Sequence, residues 1–293
     1  MTTRDQSYRI AGGPTGVLLL HGLCGTPAEL RYVANALARE GYTVHCPMLA
    51  GHGGSQSLLE ASSWTDWYDS AARALDEIRQ SCDVVIVGGL STGAILALLL
   101  AARRPADVQG VKLYSPTLWL DGWRVPWYAR AFRLVTQKWL ARLISFPAPH
   151  QFGIKDARIR EFVQGAMAAG DKNAPPPLTR MSGAVVLERR WLIDAARRLL
   201  DGVTQPVLII HPREDDLAGL SNVAYLQRRL PGAVETVILD DSWHIVTVDR
   251  QRQLVADRSA EFAARLAGRP AARVATSTAD LRVVSGGRSG ACA

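Results

Sequence analysis

The fold can be read from one stretch of the chain, Val84-Val85-Ile86-Val87-Gly88-Gly89-Leu90-Ser91-Thr92-Gly93-Ala94-Ile95-Leu96-Ala97-Leu98-Leu99-Leu100. An apolar, β-branched run comes first, then a serine between glycines, then residues that favour helices. This order predicts a buried strand, a sharp turn and a helix. The turn matches the pattern G-x-S-x-G, in which the glycines let the strand and helix backbones pass closely while the serine takes a strained conformation. It would lift the Ser91 hydroxyl out of the sheet as a nucleophile.

The same turn predicts a donor for negative charge. The Thr92 backbone N–H would lie at a helix N-terminus, where unpaired donors and the helix dipole favour an anion. A bare G-x-S-x-G also occurs by chance, and the alternative is a serine that only caps the following helix. The clean strand before Ser91 and the clean helix after it favour the nucleophile, provided that the rest of the chain supplies a base.

Composition allows one large α/β domain as readily as two small ones, because 293 residues with 48% hydrophobic residues can bury a full core. The net charge of +7 comes mainly from arginine. We interpret the arginine doublets as solvated helix faces, and no basic stripe with interleaved aromatic residues predicts nucleic-acid binding. These doublets are Arg103-Arg104, Arg189-Arg190, Arg197-Arg198 and Arg228-Arg229.

No metal site or targeting segment is expected. The four cysteines, Cys24, Cys46, Cys82 and Cys292, lack metal-ligand spacing. The first residues, Met1 to Arg9, are polar rather than a signal peptide, and the longest apolar run, Ala94 to Ala102, is too short to span a bilayer. We therefore expect a cytoplasmic protein without an integral membrane segment; nothing in the sequence indicates its oligomeric state.

Strands alternate with helices along most of the chain. Further strands are predicted at residues 16–22, 41–47, 110–115, 205–211 and 231–239, with helices at about 63–80, 185–200 and 249–266. This alternation predicts a mostly parallel sheet covered by helices on both faces. Ligands bind such sheets at the carboxyl ends of the strands, where Ser91 and the loop containing Leu23 fall. The Leu23 backbone N–H is placed to be a second oxyanion donor.

The βα alternation fails between residues 116 and 183, which are rich in aromatic side chains. We interpret 116–183 as an inserted cap, residues 1–115 and 184–267 as the core, and 268–293 as a mobile tail. An aromatic cluster is more often packing than a ligand site, but a cap over an active site can be both. Candidate substrate-binding residues over an apolar acyl pocket are Trp119, Trp123, Trp127 and Trp243.

A serine nucleophile needs a base, and His244 follows the final predicted strand, where it could reach the same rim. The base in turn needs a carboxylate to hold its tautomer. Asp215 is the preferred candidate, but Asp216 is adjacent, and one residue of loop geometry decides between them. His21, at the end of a buried strand, is interpreted as orienting its loop.

The order Ser91, Asp215, His244 resembles that of the α/β-hydrolases. Together with His21-Gly22-Leu23-Cys24-Gly25-Thr26, Gly51-His52-Gly53 and Asp241-Ser242-Trp243-His244, it looks like the branch of bacterial carboxylesterases and monoacylglycerol lipases, over about residues 14 to 267. The resemblance implies oxyanion donors at Leu23 and Thr92 and no cofactor. Two positions depart from it: Ala94 replaces a common glycine, and Trp243 replaces the glycine before the histidine.

The sequence therefore predicts a serine hydrolase that cleaves a small carboxylic ester, with an apolar acyl group, through an acyl-enzyme. A thioesterase, amidase or acyltransferase on the same triad remains open, because a fold does not choose among acyl-transfer reactions. A binding protein that has kept the fold is a further alternative. Dehalogenase chemistry is disfavoured because the turn carries Ser91 rather than aspartate.

Overall fold

The computed structural model describes residues 5–125, 127–147, 153–161 and 180–268. The tail predicted for 268–293 lies outside these residues except for Gly268, and so do parts of the predicted cap at 148–152 and 162–179.

A seven-stranded sheet forms the centre of the described structure, in the order β1-β3-β2-β4-β5-β8-β9. All neighbours are parallel except β1, which runs antiparallel to β3. A separate antiparallel pair, β6 and β7, lies between β5 and β8 in the chain. The strands are β1 (Tyr8–Ile10), β2 (Thr15–Leu20), β3 (Thr43–Cys46), β4 (Val84–Leu90), β5 (Gly110–Tyr114), β6 (Ser145–Pro147), β7 (Arg180–Ser182), β8 (Val207–Pro212) and β9 (Val234–Leu239).

Helices connect the strands and cover both faces of the sheet. They are α1 (Arg31–Arg39), α2 (Gln56–Ala61), α3 (Trp64–Arg79), α4 (Thr92–Arg103), α5 (Lys138–Ala141), α6 (Gly183–Arg198), α7 (Ser221–Arg229) and α8 (Arg252–Leu266). Short 3-10 helices span Pro27–Leu30, Trp127–Leu134 and Leu200–Gly202. No helix in the described ranges is long and apolar enough to cross a membrane.

The buried strands divide their side chains between two cores. Along β2, Leu18 and Leu20 pack with α3, α4 and α6, whereas Val17 and Leu19 pack on the opposite face with α1 and α8. This division follows from the two-residue repeat of a strand, and it explains why strands buried on both faces are apolar throughout. The predicted sheet with helices on both faces is confirmed.

Three local predictions needed correction. The short edge strand β1 was not predicted, because three residues carry too little alternation to be recognised. Helix α8 begins at Arg252 rather than at 249, since the preceding residues belong to the loop that follows β9. Between β5 and β8 the chain leaves the main sheet and contributes the separate β6–β7 pair, which was not predicted.

One buried residue conflicts with the apolar core. Lys112, in the middle of β5, is fully buried, and its Nζ has no hydrogen-bond partner among the described residues. Burial lowers the pKa of Lys112 to about 7, because an ammonium group loses its hydration there. Since the unfolded chain binds this proton more tightly, Lys112 destabilises the fold at and below neutral pH, and the penalty fades as the pH approaches the ordinary value of 10.5.

We expect Lys112→Met to raise the free energy of unfolding at pH 7 by up to about 4 kcal/mol, and to flatten the rise of stability between about pH 7 and pH 10. Urea unfolding at several pH values measures both effects. Lys155→Met is the control of opposite sign, because hydrogen bonds to Asp241 and Glu214 raise the pKa of Lys155. A Lys112→Met protein no more stable than the parent at any pH would contradict this account.

Candidate active site

Ser91 sits in the sharp turn between β4 and α4 that the sequence predicted. Its φ of +55° and ψ of −109° are those of neither the strand nor the helix, and its N–H donates to Tyr114 O at 2.8 Å. A Cβ on Gly93 would lie 2.1 Å from Leu20 O, and one on Gly89 would lie 2.2 Å from Gly93 C. Both positions therefore require glycine, because the strand and helix backbones touch there.

His244 and Asp215 form the closest side-chain pair near this turn. His244 Nδ1 lies 2.8 Å from Asp215 Oδ2 and 3.0 Å from Oδ1. The Asp215 carboxylate also accepts the N–H groups of Leu217 and Ala218, at 2.8 and 2.9 Å, which fixes its plane. With the Nδ1 proton donated to Asp215, the Nε2 lone pair of His244 is left to accept a proton.

Asp216, the alternative that the sequence left open, does a different job. Its Oδ2 accepts the Gly153 N–H at 2.8 Å, and its Oδ1 accepts the His244 backbone N–H at 3.4 Å. Of the two neighbouring carboxylates, Asp215 bonds the imidazole and Asp216 bonds the backbone around it. The side chains of adjacent loop residues point to different sides, so the conformation of the loop decides which of the two aspartates meets the imidazole.

The electrostatics of the pair favour its charged form. Burial acts to lower the pKa of His244, but the Asp215 carboxylate outweighs it, and the net pKa is raised above the ordinary value. Burial likewise acts to raise the pKa of Asp215, yet His244 and the backbone donors hold it below the usual range. Asp215 thus stays ionised and stabilises an imidazolium on His244.

The loop after β5 ties Ser91 to His244. Ser115 Oγ donates to His244 O at 2.6 Å, and Thr117 Oγ1 lies 3.3 Å from Ser91 Oγ. The Thr117 hydroxyl donates to Ser115 O at 2.9 Å, so it can only accept from Ser91. The hydrogen bond that this structure gives to Ser91 Oγ is therefore to Thr117. Contacts of a nucleophile in an unliganded enzyme often rearrange when substrate binds.

The loop after β2 faces the same turn. A Cβ on Gly22 would lie 3.8 Å from Ser91 Cβ, so the next residue, Leu23, is close to the nucleophile. Gly22 N–H donates to Glu29 Oε2 at 3.2 Å, and Cys24 adopts a left-handed φ of +61°. Burial raises the pKa of Glu29 to about 7, opposed by this backbone bond and by His244. Glu29 thus helps to hold the loop after β2 in place through this backbone bond.

The interpretation of His21 as a structural residue agrees with its contacts. Its Nδ1 lies 2.9 Å from Gly22 O, and its Nε2 accepts the Leu49 N–H at 3.1 Å. Burial lowers the pKa of His21 to about 3, so the ring stays neutral in this bonded tautomer. His21 therefore connects the loop after β2 to the loop after β3.

The four candidate tryptophans have different surroundings. Trp123 and Trp243 meet edge to face, with ring centroids 5.4 Å apart, and Trp123 is exposed. Trp119 instead donates from Nε1 to Ser221 Oγ at 2.8 Å and packs against Tyr225. The side chain of Trp127 lies outside the described residues. A substrate-binding role for these residues stays a prediction.

The surface interpretation of the arginine doublets is wrong for Arg189. This side chain is buried, and its guanidinium donates to Thr117 O at 2.7 Å and to Thr92 Oγ1 at 3.3 Å. Arg190 points elsewhere and donates to Val135 O at 2.7 Å. The sequence carried no signal for this difference, because a doublet on a helix does not reveal which member faces inward.

Thr117, Glu29 and Asp249 also support the site and were not predicted from the sequence, which offered Asp216 only as an alternative partner for the base. Asp249 Oδ2 accepts the N–H groups of Trp243 and Lys155, at 2.7 and 2.9 Å. Thr117 could have been found, since it follows directly on β5 at the carboxyl edge of the sheet. The described part of the chain contains no cluster of His, Cys, Asp or Glu side chains that could hold a metal ion.

Comparison with known protein families assigns the chain to one of them. Residues 15–251 match the Hydrolase_4 family, described as serine aminopeptidase, S33. The chain belongs to this family. Its matched region contains every site residue discussed above, from Leu23 to Asp249.

Curated relatives and solved structures of other proteins match this hydrolase over nearly its whole length. It is 28% identical to a thermostable monoacylglycerol lipase of a Bacillus species, over 90% of this chain and 96% of that protein. It is 23% identical to a carboxylesterase of Bacillus subtilis, over 88% and 96%. A solved structure from LipS and LipT, two metagenome-derived lipolytic enzymes, superposes with a TM-score of 0.73 at 25% identity, covering 88% and 97%. These similarities confirm the predicted α/β-hydrolase fold.

We expect the imidazoles of this hydrolase to titrate differently. His244 should titrate above its ordinary range, whereas His21 should remain neutral down to about pH 3. Asp215→Asn should lower the pKa of His244 sharply, because the amide cannot stabilise the imidazolium. Asp216→Asn, the matched control, should lower it less, since Asp216 bonds only the backbone of His244.

Imidazole nitrogen NMR spectra across a pH series measure these values directly. Equal shifts in the two variants would contradict the assignment of Asp215 as the partner of the imidazole.

Proposed function

We propose that this hydrolase cleaves carboxylic esters through a Ser91-His244-Asp215 triad and a covalent acyl-enzyme. Two of its relatives are named monoacylglycerol lipase and carboxylesterase, and the chain is an ester hydrolase of this class. The observation that carries the mechanism is the bond from His244 Nδ1 to Asp215. This is the relation of base and orienting carboxylate that nucleophilic serines need. Ser115 and Thr117 connect the His244 loop to the strained turn of Ser91.

In the proposed first half-reaction, His244 Nε2 takes the Ser91 proton as Oγ attacks the ester carbonyl carbon. The Leu23 and Thr92 backbone N–H groups donate to the resulting oxyanion, and Asp215 stabilises the imidazolium. When the tetrahedral intermediate collapses, the carbon–oxygen bond to the alcohol breaks and His244 returns the proton to the leaving oxygen. Water then attacks the carbonyl carbon of the acyl-enzyme while His244 takes its proton. His244 returns this proton to Ser91 Oγ when the bond to the serine breaks and the acid is released.

We also propose that residues 116–183 form a cap over this site. Gly122 N–H donates to Leu217 O at 3.0 Å, and Arg124 N–H donates to Asp216 O at 3.1 Å. Further along the segment, Gly153 O accepts the Ile245 N–H at 2.7 Å. The cap is thus attached on two sides to the loops of Asp215 and His244. An apolar acyl group would bind between the cap and Ser91, in agreement with the lipase relatives.

The first test is a chain-length series of p-nitrophenyl esters, from acetate to palmitate. We expect the parent protein to hydrolyse part of the series, and Ser91→Ala to lose turnover by at least about 1,000-fold, because no other group replaces the nucleophile. Ser57→Ala, which changes an exposed serine on α2, is the control and should retain full activity.

Thermal unfolding establishes that Ser91→Ala folds like the parent. Turnover that survives in the folded Ser91→Ala protein would contradict the proposed nucleophile. A parent protein that hydrolyses thioesters or amides, but no oxygen ester, would replace ester cleavage with another acyl-transfer reaction on the same triad.

A further inference from the structure

Arg189 lies behind the proposed oxyanion hole, although it belongs to a helix distant in sequence from Ser91. Only 8% of its surface is exposed. Its Nη2 donates to Thr117 O at 2.7 Å, and its Nε donates to Thr92 Oγ1 at 3.3 Å. The two threonines flank the nucleophile: Thr92 is the next residue in the chain, and Thr117 Oγ1 lies 3.3 Å from Ser91 Oγ.

The guanidinium has no carboxylate partner within ion-pair distance in the described parts of the chain. The neighbouring carboxylate of Glu188 is turned away and bonds Lys138 Nζ and the Trp64 N–H. Burial lowers the pKa of Arg189 only to about 10, so the group stays charged at neutral pH. Burying a cation without a carboxylate partner among the described residues is costly, and the bonds to Thr117 and Thr92 are the compensation that the structure gives to this one.

The charge is placed where negative charge would develop. In the proposed mechanism the oxyanion is held by the Thr92 N–H, and Arg189 bonds the side chain of that same residue. A fixed positive charge in a buried site favours an oxyanion over the neutral carbonyl that precedes it. It also disfavours protonation of His244, which lies within its electrostatic range.

We propose that Arg189 is a positioning residue for acyl transfer, which holds Thr92 and Thr117 around Ser91 and supplies the positive charge behind the oxyanion hole. This inference rests on the proposed ester hydrolysis and adds to it a residue outside the triad. Arg189 does not touch the reacting atoms; it acts through the two threonines and through its charge.

The expected pH effect depends on all charged groups around His244. Asp215 and Asp216 face it from the loop after β8, His211 from β8 itself, Glu29 from the first 3-10 helix, and Arg189 from α6. The two aspartates raise the pKa of His244, whereas Arg189 lowers it. Removing the charge of Arg189 takes away one of the effects that oppose the carboxylates, so the base becomes protonated at higher pH.

The experiment compares Arg189→Met, Arg189→Lys and a control, Arg197→Met, on a neutral p-nitrophenyl ester that the parent hydrolyses. Arg197 lies on the same helix but is exposed. We expect Arg189→Met to lower kcat about 10- to 100-fold with little change in KM, and to move the acid limb of kcat/KM to higher pH. Arg189→Lys, which keeps the charge, should keep the acid limb and recover much of kcat. Arg197→Met should match the parent.

The pKa of His244, measured by NMR without substrate, is the second readout. It should rise in Arg189→Met and not in Arg189→Lys. This measurement requires no turnover, so it tests Arg189 even if Ser91→Ala retains activity and the proposed function fails.

Two results would overturn the inference: an unchanged kcat, acid limb and His244 pKa in folded Arg189→Met, or a displaced acid limb in Arg189→Lys. If Arg189→Met does not fold, the pH profile of kcat/KM for Arg189→Lys alone tests the inference. An ester that carries a carboxylate tests whether Arg189 instead recognises an anionic substrate. If Arg189→Met raises KM for that ester only, and leaves kcat for the neutral ester intact, Arg189 recognises an anionic substrate and is not a positioning residue.

Discussion

The close contact between β2, β4 and α4 at Ser91 is the constraint on which the rest of the site depends. Gly93 lies against the carbonyl oxygens of Leu20 and His21, so that no side chain fits between the start of α4 and the end of β2. The turn can form only with glycine there and with Ser91 in a left-handed conformation. The same contact brings the loop after β2, with Leu23, against the nucleophile. One packing requirement thus places the serine and both proposed oxyanion donors.

Three buried aspartates hold the proposed base, His244, and its loop in position. Asp215 bonds the imidazole of His244, Asp216 bonds its backbone, and Asp249 holds the Trp243 N–H together with the residues that follow Gly153. Each carboxylate also accepts backbone N–H groups, which offsets part of the cost of burying it. The catalytic loop is therefore fixed from within the fold and from the segment that we propose as the cap. In this ester hydrolase, different carboxylates orient the imidazole of His244 and the backbone of its loop.

Much of the fold followed from the sequence, because its signals are local. The parallel strands carry unbroken apolar runs, and the turn at Ser91 combines a strand, two glycines and a helix within one short stretch. The order of Ser91, Asp215 and His244 placed all three at the carboxyl edge of the sheet. The edge strand β1 was missed because its three residues carry too little alternation to be recognised without knowledge of its pairing with β3.

The details of the site depend on directions that a sequence does not encode locally. Asp215 and Asp216 share a loop, and only its conformation shows which carboxylate meets the imidazole. Arg189 and Arg190 share a helix, but one side chain enters the site and the other bonds the 3-10 helix of the proposed cap. Charge alone predicted that both would be solvated. A buried arginine of this kind can be recognised only when the packing around it is known.

The central claim is that Ser91 becomes covalently acylated, and mass spectrometry of the enzyme treated with a fluorophosphonate ester tests it most directly. The account predicts one adduct, mapped by peptide fragmentation to Ser91 and slowed when His244 is replaced by alanine. Ser115 and Thr117, whose hydroxyl groups lie in the loop after β5, should remain unmodified. A stable adduct on either of them, or no adduct on an enzyme that hydrolyses esters, would contradict the account.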